Sequence, residues 1–369
     1  MAKFIKRFLA LILIAVSLLS LIGCTNDDTP ADGNLAVMTY KDKVITASEF
    51  GFYLAKYKAR FAEVYSDFDD TDEFYDREIN GVRAEELLFN MVVQNVKRTL
   101  ISEVLFEERG LKITDDLASD IEYYIDDIIY EKFSDDEAAF ESDLNKLGIT
   151  DEELFDIYLR DEMTYELMVA LSDDRDEIGA GDDGLQEYLE RNYARIYHIY
   201  VNNKYTYLTD ASGNPVYDDD GKKVTVKMTG EELDAKNAII SAIDESLEEG
   251  GNFLEVHEAF SEDKFYENGY YLTKNTQFVD EVVRAAFELE VGEWIKVESS
   301  AGTHYVMRFE MDEKPWKNSA NSDFLSGFES AAINELFGEY LDSFATEVTV
   351  NEEALEEFDL RTSPFTYIF

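Results

Sequence analysis

The spacing of apolar residues divides the chain into a helical part and a mixed part. Up to about residue 172, apolar positions recur every three or four residues, which predicts amphipathic helices. The clearest run ends at Gly110 and carries, at helical spacing, Leu88, Met91, Val92, Val96, Leu100, Val104 and Leu105. From Ala194 the stretch ARIYHIYV alternates β-branched and aromatic residues, which predicts a strand. The pattern therefore predicts an α+β protein whose first domain is all-α.

Polar signals in the helical part predict where its elements begin. The stretch LAVMTYKDKVITASEF, from Leu35, predicts two short strands around a polar turn, followed by a helix. Three residue pairs match the Ser/Thr-x-x-Glu pattern of a capping box, namely Thr46 with Glu49, Ser134 with Glu137, and Thr150 with Glu153. Each pair predicts the first turn of a helix.

The mixed part is predicted to have strands at both of its ends. A turn-rich insertion, 202–228, follows the first strand and includes the short strand VTVKM. Helices are predicted for 231–249, for NFLEVHEAFSED and for about 280–288. The stretch AGTHYVMRF, from Ala301, predicts the closing strand. The order of main elements is therefore expected to be β-α-α-α-β.

The C-terminal part predicts one more amphipathic helix and a short strand at 348–350. The apolar face of this helix is made of Ile333, Leu336, Phe337, Tyr340, Leu341 and Phe344. Such a face needs a partner elsewhere in the chain, because leaving it exposed would promote aggregation. The apolar tail FDLRTSPFTYIF either adds an edge to the fold or stays loose.

The charge of the chain excludes one class of partner. With 33 Lys and Arg against 81 Asp and Glu, the formal net charge is -48, so a nucleic acid partner is excluded. Such acidity favours basic segments of partners or bound cations. The stretch YDDDGKK has the carboxylates and the glycine of a calcium loop at 218–221, but it lacks the later bidentate Glu. A hairpin turn is the favoured interpretation, within an insertion that could form a flap.

The N-terminus predicts export and a lipid anchor. Basic residues precede an apolar run, as in a signal peptide covering 1–23. LIGC resembles the lipobox of bacterial lipoproteins, in which the thiol of Cys24 receives the lipid. A short transmembrane anchor is the alternative, although the run is shorter than the roughly 20 residues of a span. Cys24 is the single cysteine, so no disulfide is expected, and 24–34 reads as a flexible tether.

Four motifs in the mixed part occur in the order and spacing of a parvulin-type peptidyl-prolyl isomerase domain. They are RIYHIYV, GGNFLEVHEAFSED, RAAFELEVGE and AGTHYVMRFEM. With the lipobox and the helical parts, they resemble the PrsA-type extracytoplasmic foldases of Gram-positive bacteria and the SurA chaperones. The resemblance implies a chaperone-like helical domain, 35–190, an inserted parvulin-like domain, 191–314, and a C-terminal part, 315–369, that packs back on the helices.

The resemblance also implies a site. In the family, a first-strand and a last-strand histidine lie side by side beneath the bound prolyl peptide, and His198 and His304 occupy those positions. The polar group above them corresponds to Asp263. The residues that correspond to the wall of the proline pocket are Phe278, Val282 and Phe287. No cofactor is expected, nor a metal site; a structural hydrogen-bonded histidine pair is compatible with either function considered below.

The departures from the family pattern leave two functions open. Family members usually have Met at the position of Phe278 and Phe at that of Val282, and the smaller Val282 leaves less contact for a proline ring. The first hypothesis is a membrane-anchored foldase that binds unfolded exported polypeptides and isomerises their X-Pro bonds. The alternative is a chaperone with a weak or inactive isomerase domain. A solute-binding lipoprotein is disfavoured, because the long helical part contradicts its two α/β lobes.

Overall fold

The computed structural model describes residues 35–65, 68–79, 81–172, 174–366 and 368. The predicted signal peptide, Cys24 and the tether lie outside these residues. Within them, no helix is both long and apolar enough to cross a bilayer. The helices are α1 (Ala47–Val64), α2 (Asp72–Asp76), α3 (Ala84–Glu108), α4 (Asp115–Phe133), α5 (Glu137–Lys146), α6 (Asp151–Ser172), α7 (Asp182–Asn192), α8 (Gly230–Glu248), α9 (Phe253–Phe260), α10 (Asp280–Glu288), α11 (Ser322–Leu325), α12 (Phe328–Asp342) and α13 (Glu352–Leu355). The strands are β1 (Ala36–Tyr40), β2 (Lys43–Thr46), β3 (Glu78–Ile79), β4 (Val82–Arg83), β5 (Ala194–Val201), β6 (Tyr205–Tyr207), β7 (Thr225–Lys227), β8 (Tyr270–Leu272), β9 (Trp294–Glu298), β10 (Thr303–Phe309) and β11 (Thr349–Val350).

Helices α1, α3 and α6 form the centre of a helical body. Helix α3 packs against both of the others, and it buries the apolar stripe that its spacing predicts. The capping box of α1 is confirmed, because the Thr46 side chain accepts from the backbone N–H of Glu49 and the Glu49 side chain accepts from that of Thr46. The box of Thr150 with Glu153 is confirmed by the same two hydrogen bonds.

The predicted box at Ser134 is wrong. Ser134 ends α4 in the left-handed conformation, with φ of 54°, so it cannot also start the next helix. Asp136 is the N-cap of α5 instead, and its carboxylate accepts from the backbone N–H of Ala139 at 3.0 Å.

The C-terminal elements share the hydrophobic core of the helical body. Helix α12 packs against α3, and β11 adds to β1 in a three-stranded antiparallel sheet with β2. A two-point hydrogen-bonded ion pair between Arg98 and Asp342 fixes the α3–α12 contact, with 2.6 Å between Nη2 and Oδ2. The fold class is therefore α+β, with helices from both ends of the described chain in one body.

The tail beyond α13 is packed, so the alternative of a loose tail is wrong. Leu360, Thr366 and Ile368 are buried. The buried Lys58 ammonium of α1 donates to the carbonyl oxygen of Ser363 at 2.8 Å, and Arg361 pairs with carboxylates of α2 and α3. These bonds bring the tail back onto the first helix.

The mixed part forms a four-stranded antiparallel sheet in the order β8-β5-β10-β9. Helices α8 and α9 pack on one face, and α10 packs on the other. The predicted order β-α-α-α-β is incomplete, because it lacks the edge strands β8 and β9. Both are short, at three and five residues, and the sequence shows a turn beside each.

The insertion after β5, residues 202–228, is ordered by short strands and turns rather than forming an open loop, and we call it the knob. Strands β6 and β7 pair, and the backbones of Leu208, Val224 and Val216 form a ring in which each N–H donates to the next carbonyl oxygen, at 2.8 to 2.9 Å. The stretch at 218–221 is the predicted hairpin turn, closed by the bridge between Tyr217 and Lys223. Among the described residues, no group of three or more His, Cys, Asp or Glu side chains is placed to hold a metal ion.

We expect Arg160→Ala to destabilise the helical body by about 3–5 kcal/mol. The guanidinium of Arg160 pairs with Glu49 at 2.9 Å and with Glu103 at 2.7 Å, and all three side chains are only about a tenth exposed. Its removal leaves the nearly buried Glu49 without a cation and leaves Glu103 with Lys43 alone, at 3.2 Å. Urea unfolding, followed by far-UV circular dichroism, measures the change.

The matched control is Arg175→Ala. Arg175 pairs with Glu329 at 3.0 Å, but both side chains are nearly half exposed, so the loss is expected to stay below about 1 kcal/mol. Equal losses in the two variants would show that burial does not set the strength of these ion pairs.

Candidate functional site

Pairing of β5 with β10 brings the two strand histidines together. His198 lies opposite Val306, and His304 lies opposite Tyr200, so the histidines are diagonal neighbours on one face of the sheet. Their rings stack at 5.1 Å between centroids, and 2.9 Å separates Nε2 of His198 from Nδ1 of His304. They are 3% and 1% exposed, so the pair is almost dry.

Asp263 lies over the histidine pair because the loop after α9 is tied to β5. The Ser261 hydroxyl accepts from the backbone N–H groups of Tyr200 and Asp263, at 3.1 Å each. This contact aims the Asp263 carboxylate at His198, with 2.6 Å between Oδ2 and Nδ1. The structure thus brings together the three residues for which the sequence predicts a catalytic role, while that role stays a prediction.

The site is a continuous chain of hydrogen bonds. Tyr270 donates its hydroxyl to Oδ2 of Asp263 at 2.6 Å, and Ser299 lies 2.7 Å from Nε2 of His304 at the far end. Since Asp263 accepts from Nδ1 of His198, an uncharged pair has His304 donating to His198 and Ser299 donating to His304. Asp263 keeps 23% of its side chain exposed, so a ligand can reach this end of the hydrogen-bonded network.

Burial and these hydrogen bonds set the charges of the residues in the site. Burial raises the pKa of Asp263, but hydrogen bonds from His198 and Tyr270 outweigh it, so the pKa lies below its ordinary value. Burial, and after it the neighbouring His198, lowers the pKa of His304 to about 4. Burial and the bond to Asp263 raise the pKa of Tyr270. At neutral pH the site therefore holds a charged Asp263 carboxylate and an uncharged His304 imidazole.

The predicted pocket residues differ in how far they can meet a ligand. Phe278 is half-buried, lies edge-on to His198 at 5.4 Å between ring centroids, and borders an open cleft of about 670 Å³ lined by residues 274–280. Phe287 is half-buried on α10. Val282 has no exposed surface and packs with Ile196 and Val306 beneath α10, so it supports the cleft from below.

Three further residues complete the site without having been expected from the sequence. Tyr270 and Ser299 end the polar chain, and the Tyr270 ring packs on Phe278. Phe324 of α11 reaches across from the C-terminal part and contacts Tyr266 and Tyr270, at 4.8 and 5.1 Å between centroids. No local pattern marks Phe324, because its role depends on contact between distant segments.

Two glycines in the sequence could have indicated how the strands around the site approach each other. Gly269 has φ of +76°, and an added Cβ would lie 2.5 Å from the carbonyl oxygen of Ile196, so only glycine lets β8 place Tyr270 beside the site. Gly302 precedes β10, and a Cβ there would lie 2.5 Å from the carbonyl oxygen of Val201. The third histidine, His257, is buried on α9, in agreement with a packing role.

The fold and the site define an α+β protein with a helical body, a four-stranded sheet and a buried histidine pair under a carboxylate. No protein-family model and no curated protein matches the chain. Among solved structures it is similar to PrsA from Bacillus subtilis, with 20% identity over 71% of this chain and 88% of that chain and a TM-score of 0.25.

Two other similar structures have comparable scores. The peptidylprolyl isomerase PrsA from Bacillus cereus shares 16% identity over 88% of this chain and 91% of that chain, with a TM-score of 0.25. A SurA-like chaperone from Campylobacter jejuni shares 11% over 86% and 98%, with a TM-score of 0.22. These are the families that the motifs resemble.

We expect His304→Gln to flatten the dependence of stability on pH between 7 and 5. A histidine with a pKa of about 4 when folded and about 6.5 when unfolded stabilises the fold above pH 6.5, and this stability is lost as the pH falls toward 4. The wild type should therefore lose about 2 kcal/mol more than the variant over this range. Urea unfolding at pH 7 and pH 5 measures the difference. Parallel losses in both proteins would mean that His304 keeps an ordinary pKa.

Proposed function

We propose that the chain is an extracytoplasmic foldase that binds unfolded polypeptides and catalyses cis/trans isomerisation of their X-Pro bonds. The observation that carries the proposal is the Asp263 carboxylate, fixed by His198 and Tyr270, whose rings both contact Phe278. The reaction needs no nucleophile, cofactor or metal. It requires a site that binds the twisted amide more tightly than either planar form.

The geometry suits this requirement for a physical reason. The X-Pro amide rotates against an intrinsic barrier of roughly 18–20 kcal/mol, because rotation breaks its resonance. A preorganised polar group acts strongly where water is excluded. Asp263 is held by three donors, namely His198, Tyr270 and the backbone N–H of Lys264, so it does not reorient during rotation. Phe278 offers an aromatic surface to the proline ring.

The proposal also includes a lipid anchor and a division of labour between domains. Cys24 would carry a lipid that anchors the chain to the outer face of the bacterial cell membrane, and 24–34 would act as its tether. The division into 35–190, 191–314 and 315–369 would separate polypeptide binding from isomerisation. The shared core of the N- and C-terminal helices supports this division.

A chaperone without isomerase activity is the second candidate, and one observation favours it. Val282 is fully buried, and the Tyr270 ring fills space beside Phe278. A proline ring would therefore rest mainly on Phe278 and Phe287 rather than enter a deep apolar pocket. Weaker binding of the ring lowers the free energy available to stabilise the twisted amide.

We expect Asp263→Asn to lower kcat/KM for an X-Pro peptide by about ten- to a hundredfold. The substitution keeps the volume of the side chain but removes its charge, and an amide also disturbs the proton order along the histidine pair. It should lower stability as well, since His198 and Tyr270 lose their charged acceptor. A protease-coupled assay measures the rate, and urea unfolding measures the stability.

Asp244→Asn is the matched control. Asp244 accepts from the buried Tyr305 hydroxyl at 2.7 Å and pairs with Lys296, on the opposite face of the same sheet. It should change stability but leave kcat/KM within a factor of about two. If the wild-type chain binds unfolded polypeptides without isomerising X-Pro bonds, the second candidate is correct. If Asp263→Asn keeps full activity, the site is placed wrongly.

A chain in which a short Gly/Ser linker joins residue 190 to residue 316 should still fold and bind unfolded polypeptides. The two ends of the removed part lie close together, because Gln186 accepts from the backbone N–H of Lys314 at 2.9 Å. Thermal unfolding and suppression of client aggregation are the measurements. A second deletion that also removes α12 should aggregate, since α3 loses its partner. Loss of all polypeptide binding in a folded linker variant would contradict the proposed division.

A further inference from the structure

Helix α6 has one face whose charged residues form ion pairs and another whose carboxylates are unpaired. On its inner face, Asp161 pairs with Lys56 at 2.6 Å, and Arg160 joins Glu49 and Glu103. These pairs bind α6 to α1 and α3. Asp161, Glu49 and Glu103 thus each have a cation, although the chain has far fewer cations than carboxylates.

The outer face of α6 combines tyrosines with carboxylates. Tyr158, Glu162 and Tyr165 follow one another at helical spacing, with Glu166 one turn beyond Glu162. Helix α4 lies alongside and brings Tyr124 to Tyr158, with 5.5 Å between ring centroids. We call this surface the acidic tyrosine face and define it by Asp120, Tyr124, Tyr158, Glu162, Tyr165 and Glu166.

The carboxylates of the acidic tyrosine face have no cation within the described part of the chain. No Lys or Arg there forms an ion pair with Asp120, Glu162 or Glu166, although Glu162 and Glu166 are half-buried. Burial, followed by the negative charges of Glu166, Asp161 and Asp120, raises the pKa of Glu162. A cation supplied from outside would relieve this repulsion.

The hydroxyl groups of the tyrosines on the same face also lack hydrogen-bond partners among the described residues. Tyr124 and Tyr165 are 44% and 55% exposed, so two large rings face solvent beside the unpaired carboxylates. Tyr158 lies between them with 6% exposure, and its buried hydroxyl has no hydrogen-bond partner among the described residues. Unpaired negative charge, open aromatic rings and an unsatisfied buried hydroxyl thus meet on one surface.

We propose that the acidic tyrosine face binds a Lys- or Arg-bearing segment of an unfolded polypeptide. Ammonium and guanidinium groups pair with carboxylates and also bind over tyrosine rings, and the aliphatic stems of these side chains cover apolar surface. The negative charge of the acidic tyrosine face repels nucleic acids and acidic segments. The inference rests on the proposed binding of unfolded polypeptides, but not on isomerase activity.

The test measures binding of a fluorescent, proline-free peptide that carries Lys, Arg and Leu to the full chain. The double variant Glu162→Gln with Glu166→Gln should weaken binding about fivefold or more, since each exposed pair contributes modestly. The double variant Glu352→Gln with Glu353→Gln changes the net charge equally at exposed sites of α13 and should change binding less than twofold. Raising the salt concentration should weaken binding by the wild type more than by the first variant.

The aromatic contribution has its own matched pair. Tyr165 and Tyr207 are both 55% exposed, but Tyr207 lies on the knob after β5. Tyr165→Ser should weaken binding at least threefold, as expected for loss of a cation–π contact, whereas Tyr207→Ser should not.

Two results would overturn the proposal. They are equal weakening by both charge variants and equal affinity for a matched acidic peptide. Isomerase activity is measured on the same proteins and should not change in these variants. Absence of that activity in the wild type would contradict the isomerase proposal. The peptide affinities would still test whether the acidic tyrosine face binds basic segments.

Discussion

The antiparallel pairing of β5 with β10 is the constraint on which the rest of the molecule depends. The register that places His304 opposite Tyr200 also makes it the diagonal neighbour of His198. The same pairing sets Arg195 opposite Phe309, so the chain enters and leaves the sheet side by side. The ion pair of Arg195 with Asp312, at 2.5 Å, holds these two ends together. This strand pair therefore brings the two histidines of the site together. It also places the two ends of the mixed part side by side, where both connect to the helical body.

The site depends on burying polar groups without leaving them unpaired. Each ring nitrogen of His198 and His304 has a partner, and the chain of hydrogen bonds runs from Tyr270 to Ser299. A dry, satisfied network is rigid, because any member that turns away leaves another without its bond. The C-terminal part contributes to this rigidity through Phe324, which packs on Tyr270. The helical body and the site are thus in physical contact.

Scarcity of cations explains how the charges are arranged. With 33 basic residues against 81 acidic ones, most carboxylates have no cation to pair with. Several of the available cations lie at junctions between distant segments, where Arg160 joins three helices and the buried Lys58 meets the C-terminal tail. Removing one partner of a pair at such a partly dry junction costs more than removing one at the surface, because the remaining charge is left buried. The outer face of α6 is left with carboxylates alone.

The sequence by itself determined what depends on neighbours a few residues apart. The helical stripe of α3, the boxes at Thr46 and Thr150, and the strands that carry the two histidines all follow from local spacing. The capping box predicted at Ser134 was wrong, because the end of one helix there competes with the start of the next. Only the tertiary structure decided the edge strands β8 and β9, the full burial of Val282, and the contacts of Tyr270 with Asp263 and Phe324. Those features depend on which distant segments meet and in which register, and local periodicity holds no information about that meeting.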